Sequence, residues 1–380
     1  MRKNRVGRRV LALVAAVGLA VAATACGSST ASNSGSSGAS GTSASSSQAS
    51  TAQSFVSSLK QRPTTLNVPA LPSKPTPGKT VDYVACGLPV CVAFGTLIQS
   101  ALQSVGWNYK FVNAGLTPQT VAAAYSQAVT DHPAGVIGSG GFSPTLFANQ
   151  LKQLAAENVP VILSASAGAP NVTGVLAGPT YLAQDGTEMA NVILADSHAK
   201  GAHVAIFTTP ATPIYSSAHT AIENAMKNQC SGCSTTTYSF PETDIGTNLP
   251  TEVVSFLRTH PSVNYLFFDF SNEVDGVPSA LSSAGLSSKV KIVTTDTTST
   301  ESQYLVQGQE FAAAAVPWPE FFWGGVNVIL RASENAPLAP AVNMVYPHMI
   351  LTGSNLPTTT GVIATVANYQ SIYKTAWHVG

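Results

Sequence analysis

Residues 128–138, AVTDHPAGVIG, and residues 256–268, FLRTHPSVNYLFF, follow one plan. In each stretch a helical pattern ends at a His-Pro pair, His132-Pro133 or His260-Pro261, shortly before an apolar strand pattern. The residue before a proline is forced out of the helical region of backbone space, so a helix stops there. Two equivalent helix-to-strand steps indicate a lobe that occurs twice. Chance recurrence of one dipeptide is the alternative, and the order of the surrounding elements argues against it.

Around these steps, short β-branched runs alternate with longer amphipathic stretches from Thr80 onward. This alternation is typical of parallel β/α units. The predicted strands cover residues 81–85, 109–113, 135–138, 159–164, 172–176, 203–207, 235–238, 265–270 and 291–294. The predicted helices lie near residues 92–105, 118–131, 143–157, 215–228, 250–259 and 274–284. About 300 residues remain after the N-terminal linkers, which is more than a single hydrophobic core usually accommodates. We therefore expect an α/β protein with two doubly wound parallel-sheet lobes.

The first residues have the pattern of a secretory signal. Five basic residues within positions 2–9 precede an uncharged apolar run over residues 10–23. The run is about 14 residues long, whereas a membrane-spanning helix takes roughly 20, so a retained anchor helix is disfavoured. Ala23-Thr24-Ala25-Cys26, followed by glycine and serine, resembles a bacterial lipobox. We expect residues 1–26 to be a lipoprotein signal peptide with Cys26 acylated, and an ordinary signal with a chance cysteine is the alternative.

The next segment, residues 27–78, is predicted to be a tether. Ser, Gly, Ala and Thr dominate residues 27–58 without a single charge, and residues 62–79 are rich in proline. The first composition buries too little apolar surface to fold and should be flexible, while the prolines should make the second part stiffer and more extended. A lipid followed by a spacer would keep the lobes near a membrane.

Charge excludes several classes of partner. The five basic residues of the signal leave 13 basic against 18 acidic residues after residue 26. This mildly acidic remainder contains no Lys/Arg cluster, which argues against a nucleic-acid partner and against binding to anionic lipid surfaces. We therefore expect membrane contact through the lipid at Cys26 only.

The remaining four cysteines form two close pairs, Cys86 with Cys91 and Cys230 with Cys233. We predict that both pairs are disulfides, as suits an oxidising compartment. A metal site would need two C-x-x-C knuckles or a nearby histidine, and the first pair is spaced C-x4-C without one. A redox role for Cys230 and Cys233 is the other alternative, although Gln229 and Ser234 indicate a surface turn there.

From about Lys79 to its end, the chain resembles the type I periplasmic binding proteins, close to the branch of ribose-binding protein and related sugar receptors. The resemblance rests on Val81-Asp-Tyr-Val-Ala85, Pro160-Val-Ile162, Ile292-Val-Thr-Thr-Asp296 and Met349-Ile-Leu-Thr352-Gly-Ser-Asn355 in this order. Each motif is short, so the specificity lies in their order over some 300 residues.

The resemblance implies two lobes joined by a three-segment hinge. We expect the crossings near residues 178–181, 296–301 and 346–355. The N-terminal lobe would then comprise residues 79–178 and 297–348, and the C-terminal lobe residues 179–296 and 349–380.

In open parallel sheets, ligands bind at the carboxyl ends of the strands. This rule nominates the loops 87–94, 139–143, 164–168, 208–215, 271–273 and 296–300. The resemblance adds that Asp296 would accept ligand hydroxyls and that Asn272 would supply a ligand-binding amide. Trp318 departs from the family, because relatives often carry a glutamine there. The predicted ligand-binding residues are Asp296, Asn272, Trp318, Ser164, Ser166, Phe142, Tyr215 and Phe94.

The nominated loops contain neither arginine nor lysine. A buried anion must be paired, so phosphate or carboxylate ligands are disfavoured and a neutral, sugar-like or weakly cationic ligand is expected. Each residue also has a purely structural alternative. Asp296 could cap a turn, Asn272 could cap a helix, and Trp318 and the other aromatic residues could fill a core or its rim.

No catalytic or metal-binding motif occurs among the seven histidines, and neither a nucleophile elbow nor a phosphate-binding loop is present. We expect a monomeric binding protein without a cofactor or metal, on the outer face of the cell membrane, which delivers its ligand to the permease of an ABC importer. Presentation of the ligand-loaded form to a membrane sensor is an alternative that the same fold would serve. A hydrolase on this fold is a third one.

Overall fold

The computed structural model describes residues 39–380, with side chains from residue 45 onward. The signal segment, Cys26 and the first part of the predicted tether lie outside the described residues. Within them, no helix has both the length and the apolar character needed to cross a membrane.

The described part of the tether is folded, which corrects the prediction of a flexible segment. Helix α1, Ala39–Leu59, buries Ala49, Ala52 and Val56 against the C-terminal half of the chain. These positions recur on one helical face, and their small side chains allow close packing despite the low overall hydrophobicity. The proline-rich part is also held, because Leu66 and Leu71 are buried in the N-terminal core.

The N-terminal lobe is built on a five-stranded parallel sheet with the order β2-β1-β3-β4-β5. Its strands are β1 (Thr80–Cys86), β2 (Asn108–Gly115), β3 (Gly135–Gly138), β4 (Val161–Ser164) and β5 (Gly174–Leu176). The intervening helices are α2 (Pro89–Ser104), α3 (Pro118–Asp131) and α4 (Ala148–Ala156). Tyr83 and Val84, neighbours in β1, belong to cores on opposite faces of the sheet, so the lobe is doubly wound.

The C-terminal lobe has a six-stranded sheet with the order β11-β10-β9-β8-β6-β7, parallel except for the pair β10 and β11. Its strands are β6 (His203–Thr208), β7 (Ser234–Ser239), β8 (Tyr265–Phe268), β9 (Lys291–Thr295), β10 (Ala312–Ala314) and β11 (Ile350–Leu351). Its helices are α5 (Pro179–Asp196), α6 (Ser216–Gln229), α7 (Leu249–Thr259), α8 (Val277–Ser283) and α9 (Ser299–Val306). Ile206 and Phe207 of β6 again lie in cores on opposite faces.

Both His-Pro steps end their helices where the sequence predicts. Helix α3 is capped by His132, whose backbone is left-handed with φ 48°, and α7 is capped by His260 with φ −124°. The strands β3 and β8 follow within five residues in each case. The two steps are therefore equivalent in position, although the two caps use different backbone conformations.

The second hinge crossing lies later than predicted. Strand β10 pairs with β9, so the chain stays in the C-terminal lobe beyond Asp296 and through α9. It leaves at residues 315–317 and enters α10, Trp318–Ser333, which packs on the N-terminal core. Residues 297–314 thus belong to the C-terminal lobe rather than to the N-terminal one. The first crossing, at residues 177–178, and the third, at residues 343–349, lie close to their predicted places.

The C-terminal assignment also needs correction. After β11 the chain returns to the N-terminal lobe, which also contains the short helix α11, Ala339–Val342, and it ends there in α12, Tyr369–Ala376. Trp377, just after α12, stacks on Trp323 of α10 with ring centroids 5.3 Å apart. Its indole N–H donates to Asn327 Oδ1 at 2.9 Å. Of the segment 349–380, only residues 349–365 therefore belong to the C-terminal lobe.

Two further chain passes connect the lobes beside the three crossings. The return toward α12 runs at residues 363–366, and the segment after α1 runs next to it. Arg62 joins the two passes, because its guanidinium donates to the carbonyl oxygens of Ala364 and Thr365 at 3.1 and 2.9 Å. Glu320 of α10 accepts from Thr365 Oγ1 and from the Val366 N–H. The described chain thus crosses between its lobes five times.

Candidate functional site

A cavity of about 70 Å³ lies between the two lobes at the carboxyl ends of their strands. Both sheets contribute to it, as expected for ligand sites in open parallel sheets. Its lining consists of Cys86, Leu88, Val90, Cys91, Phe94, Gly140, Gly141, Ser164, Ala165, Thr212, Tyr215, Glu242, Phe270, Asn272, Asp296 and Trp318.

Six of the eight predicted residues line this cavity, namely Phe94, Ser164, Tyr215, Asn272, Asp296 and Trp318. The other two, Phe142 and Ser166, line a neighbouring cavity of about 210 Å³. Gly141 and Ala165 border both cavities, so all eight side chains lie along one interlobe cleft.

The disulfide between Cys86 and Cys91 shapes the N-terminal wall. It closes the loop after β1 with a Cα–Cα distance of 5.6 Å, and the second predicted disulfide, Cys230–Cys233, is also formed. The buried hydroxyl of Tyr83 donates to the Cys91 carbonyl oxygen at 2.8 Å and lies 2.7 Å from Ser139 Oγ. A core side chain therefore fixes the disulfide loop at the edge of the cleft.

Phe94 and Trp318 form an aromatic surface on the same wall. Their ring centroids are 5.0 Å apart, and Phe322 packs behind both rings. Trp318 stands at the first turn of α10, directly after the second crossing. Both rings are almost wholly buried, so this surface has little freedom to rearrange.

Asp296 is the main polar group of the C-terminal wall. It follows β9 in a left-handed conformation with φ 65°, and its Oδ1 accepts from the Thr297 N–H at 2.7 Å. Burial raises the pKa of Asp296 to about 6, opposed by the Trp318 indole and the Thr297 N–H. Ala165, opposite on the N-terminal lobe, is also left-handed with φ 49°. Non-glycine residues in this region store strain that tends to cluster at functional sites.

The loop after β8 carries Phe270 and Asn272 and is anchored from behind. The Asp269 carboxylate pairs with His219 and accepts from Thr208 Oγ1 at 2.7 Å. The Asp269 N–H donates to Glu273 Oε2 at 2.8 Å. Burial raises the pKa of Glu273 well above its ordinary value, and the nearby Asp269 charge raises it further. Polar contacts below the cleft thus hold the loop in place.

Apart from the disulfide, sequence reasoning missed six lining side chains: Leu88, Val90, Ala165, Thr212, Glu242 and Phe270. The first four lie inside nominated loops, and Phe270 directly precedes one. Glu242 follows the edge strand β7, whose carboxyl end was not nominated although the same rule applies to it. Burial raises the pKa of this half-buried carboxyl.

The electrostatics of the cavity are one-sided. Asp296 and Glu242 are its titratable acids, and no Lys, Arg or His side chain lines the cavity among the described residues. The remaining lining is largely aromatic and aliphatic. Such a site has nothing to pair with a ligand anion, and its apolar surface suits a flat ligand face.

The sequence comparison agrees with this architecture. The family model described as "periplasmic binding protein domain" matches residues 87–335. The chain belongs to this family. It has the type I architecture that the resemblance implied, and it is a binding protein rather than an enzyme. Among the curated proteins, none matches the sequence.

Solved structures of binding proteins share the fold at low sequence identity. A glucose-galactose binding protein from Geobacillus stearothermophilus superposes with a TM-score of 0.65 at 14% identity, covering 74% of this chain and 100% of the other. An ABC sugar transporter subunit from Rhodobacter sphaeroides gives 0.63 at 15%, covering 73% and 99%. A carbohydrate transporter from Acidothermus cellulolyticus, in complex with myo-inositol, gives 0.62 at 15%, covering 80% and 99%.

The cleft of this binding protein is closed. Ile214 and Tyr215 of the C-terminal lobe are buried in the apolar core of the N-terminal lobe. The cavity is far smaller than the roughly 300–1,000 Å³ of ordinary small-molecule sites. A ring-sized ligand therefore enters only if the lobes move apart.

Proposed function

We propose that this protein is a lipid-anchored, extracytoplasmic binding protein that captures a small neutral, sugar-like molecule between its lobes and delivers it to an ABC importer. One observation carries the proposal: the interlobe cavity combines an aromatic surface with carboxylate and amide groups and, among the described residues, has no cationic side chain. This combination suits a molecule with an apolar face and hydroxyl groups.

The two walls of the cavity would make different contacts with the ligand. The ligand ring would lie against Phe94 and Trp318, while its hydroxyl groups would donate to Asp296 and exchange hydrogen bonds with the Asn272 amide. A hydrogen bond to a charged acceptor contributes about 1.5–3 kcal/mol, more than a neutral one. The aromatic surface would supply affinity, and the carboxylate would orient the ring.

The family and the relatives support a role in transport. The similar structures include proteins named as a sugar transporter subunit and a carbohydrate transporter, and one of them holds myo-inositol. Ligand that contacts both walls would stabilise the closed lobes, and this closed surface is what a permease would bind. Acylation at Cys26 would keep the monomeric protein at the outer face of the cell membrane, where it would capture diffusing ligand.

The proposal is tested by calorimetry and thermal shift on the purified protein. The probes are neutral monosaccharides and myo-inositol, each paired with its phosphate ester or acid derivative as a matched control. We expect at least one neutral compound to bind and to raise the melting temperature, while its anionic partner does not bind. Binding of the anionic members alone, or conversion of a bound compound into product, would contradict the proposal.

A further inference from the structure

A second group of chemically active side chains lies outside the cleft, at the hinge. Asp185 and Glu188 stand one turn apart on α5, so both carboxylates lie on one helical face. His348 belongs to the third crossing and points at the same place. Its Nδ1 lies 2.8 Å from Glu188 Oε1 and 3.4 Å from Asp185 Oδ1.

Tyr181 holds the imidazole in position and joins the three crossings at residues 177–178, 315–317 and 343–349. Its ring stacks on His348 with centroids 4.1 Å apart and an interplanar angle of 17°. Its hydroxyl donates toward the carbonyl oxygens of Ala315 and Pro347 at 3.2 and 3.3 Å. Tyr181 itself lies just after the first crossing, so this one side chain links three of the five chain passes between the lobes.

The two carboxylates approach His348 but make no well-formed hydrogen bond. Asp185 and Glu188 are fully buried, and none of their four oxygens makes a hydrogen bond with acceptable geometry within residues 39–380. His348 Nδ1 also lacks one there. With both carboxylates ionised, a protonated His348 would leave one uncompensated negative charge in the protein interior, and buried charge is costly unless paired. Burial raises the pKa of Asp185 to about 8, so a proton on this carboxyl is the alternative to a bound cation. A divalent cation with a neutral imidazole would bring the net charge of the group to zero.

The spacing of the three groups suits a metal ion. One oxygen of each carboxylate and Nδ1 all lie within 4.8 Å of one another. Zinc ligands sit about 2.0–2.2 Å from the ion, which places them roughly 3–3.5 Å from each other in tetrahedral or octahedral arrangements. The two distances from His348 Nδ1 to the carboxylate oxygens, 2.8 and 3.4 Å, are close to this range.

We propose that Asp185, Glu188 and His348 form a site for a first-row divalent transition metal, of which zinc is the best fit. One imidazole and two carboxylates favour zinc over magnesium or calcium, which prefer all-oxygen sites. An ion can reach the group through the partly exposed His348, which borders an open groove of about 710 Å³ lined also by Tyr181 and Gln184. The bound ion would link α5 of the C-terminal lobe to the third crossing.

The experiment measures zinc on the full-length chain, purified without a histidine tag and stripped with EDTA. After dialysis against zinc, we expect one equivalent of tightly held metal that excess magnesium does not displace, and a higher melting temperature. Loss of a residue that only hydrogen-bonds to a metal ligand commonly weakens metal binding by about 10- to 100-fold. H348Q and E188Q each remove a ligand itself, so their zinc affinity should fall by at least about 100-fold. H132Q is the matched control, because His132 forms an exposed pair with Glu157 at a similar distance of 2.7 Å.

X-ray absorption on the zinc-loaded wild type decides the matter independently of whether the variants fold. One imidazole with oxygen ligands supports the site. A wild type that retains no zinc, a coordination shell without imidazole, or undiminished binding in folded H348Q overturns it, and the group then holds a proton in place of a metal.

Discussion

The two walls of the cleft differ in chemistry although the lobes share one architecture. The N-terminal wall is almost wholly apolar, whereas the C-terminal wall carries the two carboxylates and the amide. The N-terminal lining includes Leu88, Val90, the Cys86–Cys91 disulfide, Phe94 and Trp318, and the C-terminal lining includes Thr212, Tyr215, Glu242, Phe270, Asn272 and Asp296.

This difference separates affinity from orientation. Burial of apolar surface is non-directional and scales with area, so the N-terminal wall can hold any flat ring of suitable size. Hydrogen bonds to Asp296 and Asn272 are directional, and removal of one partner leaves a buried group unsatisfied. The first wall should therefore set how tightly a ligand binds, and the second which ligand binds.

The largest effect is expected from W318A, which removes the aromatic surface. Aromatic side chains at the centre of a buried site commonly contribute 2 kcal/mol or more, and here we expect about 3 kcal/mol, or ~150-fold weaker binding of the best ligand from the screen. Calorimetry measures the dissociation constant. The same substitution should cost about 3–5 kcal/mol of stability, because Trp318 also packs in the core.

W377A is the matched control for that loss. Trp377 is equally buried in the N-terminal lobe but lies against α10 and α12, away from the cavity. Its removal should destabilise the fold by a similar amount and leave the dissociation constant unchanged. If W318A binds as tightly as the wild type, the aromatic surface takes no part in recognition.

The next effect is expected from D296N, which keeps the shape and removes the charge. We expect a loss of about 2 kcal/mol, or ~30-fold in affinity, because a hydroxyl-to-carboxylate hydrogen bond becomes a neutral one. D244N, a change on the same lobe outside the cavity lining, should bind normally. An unchanged dissociation constant for D296N would remove Asp296 from the site.

The pH dependence of D296N sharpens this test. Burial raises the pKa of Asp296 to about 6 from 3.8, so wild-type affinity should fall as pH drops through 6, whereas D296N should show a flat profile. Between pH 3.8 and 6 the folded state holds this proton and the unfolded chain has released it, so this group lowers stability as pH rises. D296N should therefore lose affinity at neutral pH without losing stability.

The alternation of elements was enough to predict nine of the eleven described strands, but not the long helices α5 and α10. Strand β3 and helix α3 have the predicted bounds, since a proline step and a capping threonine mark their ends locally. Strand β10 was missed because Ala312–Ala314 has no β-branched residue and alanine favours helices. Pairing with β9 and β11 overrides that preference, and the missed strand explains the misplaced second crossing.

The ends of the chain show a second limit of sequence reasoning. Tyr369, Tyr373 and Trp377 recur at helical spacing, so an amphipathic α12 was readable, but its attachment to the N-terminal lobe depends on the distant Trp323. The cleft loops followed from the strand-end rule, which holds for any parallel sheet. Which aromatic rings contact each other across the cleft depends on how the two lobes pack together, and local sequence patterns do not contain that information.

The smallest effect is expected from E242Q, which distinguishes the two polar groups of the C-terminal wall. Glu242 is only half-buried and its charge is partly screened by solvent, so a neutral ligand should gain little from that charge, and affinity should change by about twofold or less. Calorimetry at low and high salt measures this, and a neutral ligand should show no salt dependence in either variant. E242Q could instead bind the ligand more than tenfold more weakly, and added salt could weaken wild-type binding to the same extent. The ligand would then carry an ammonium group, with Glu242 rather than Asp296 as its counter-ion.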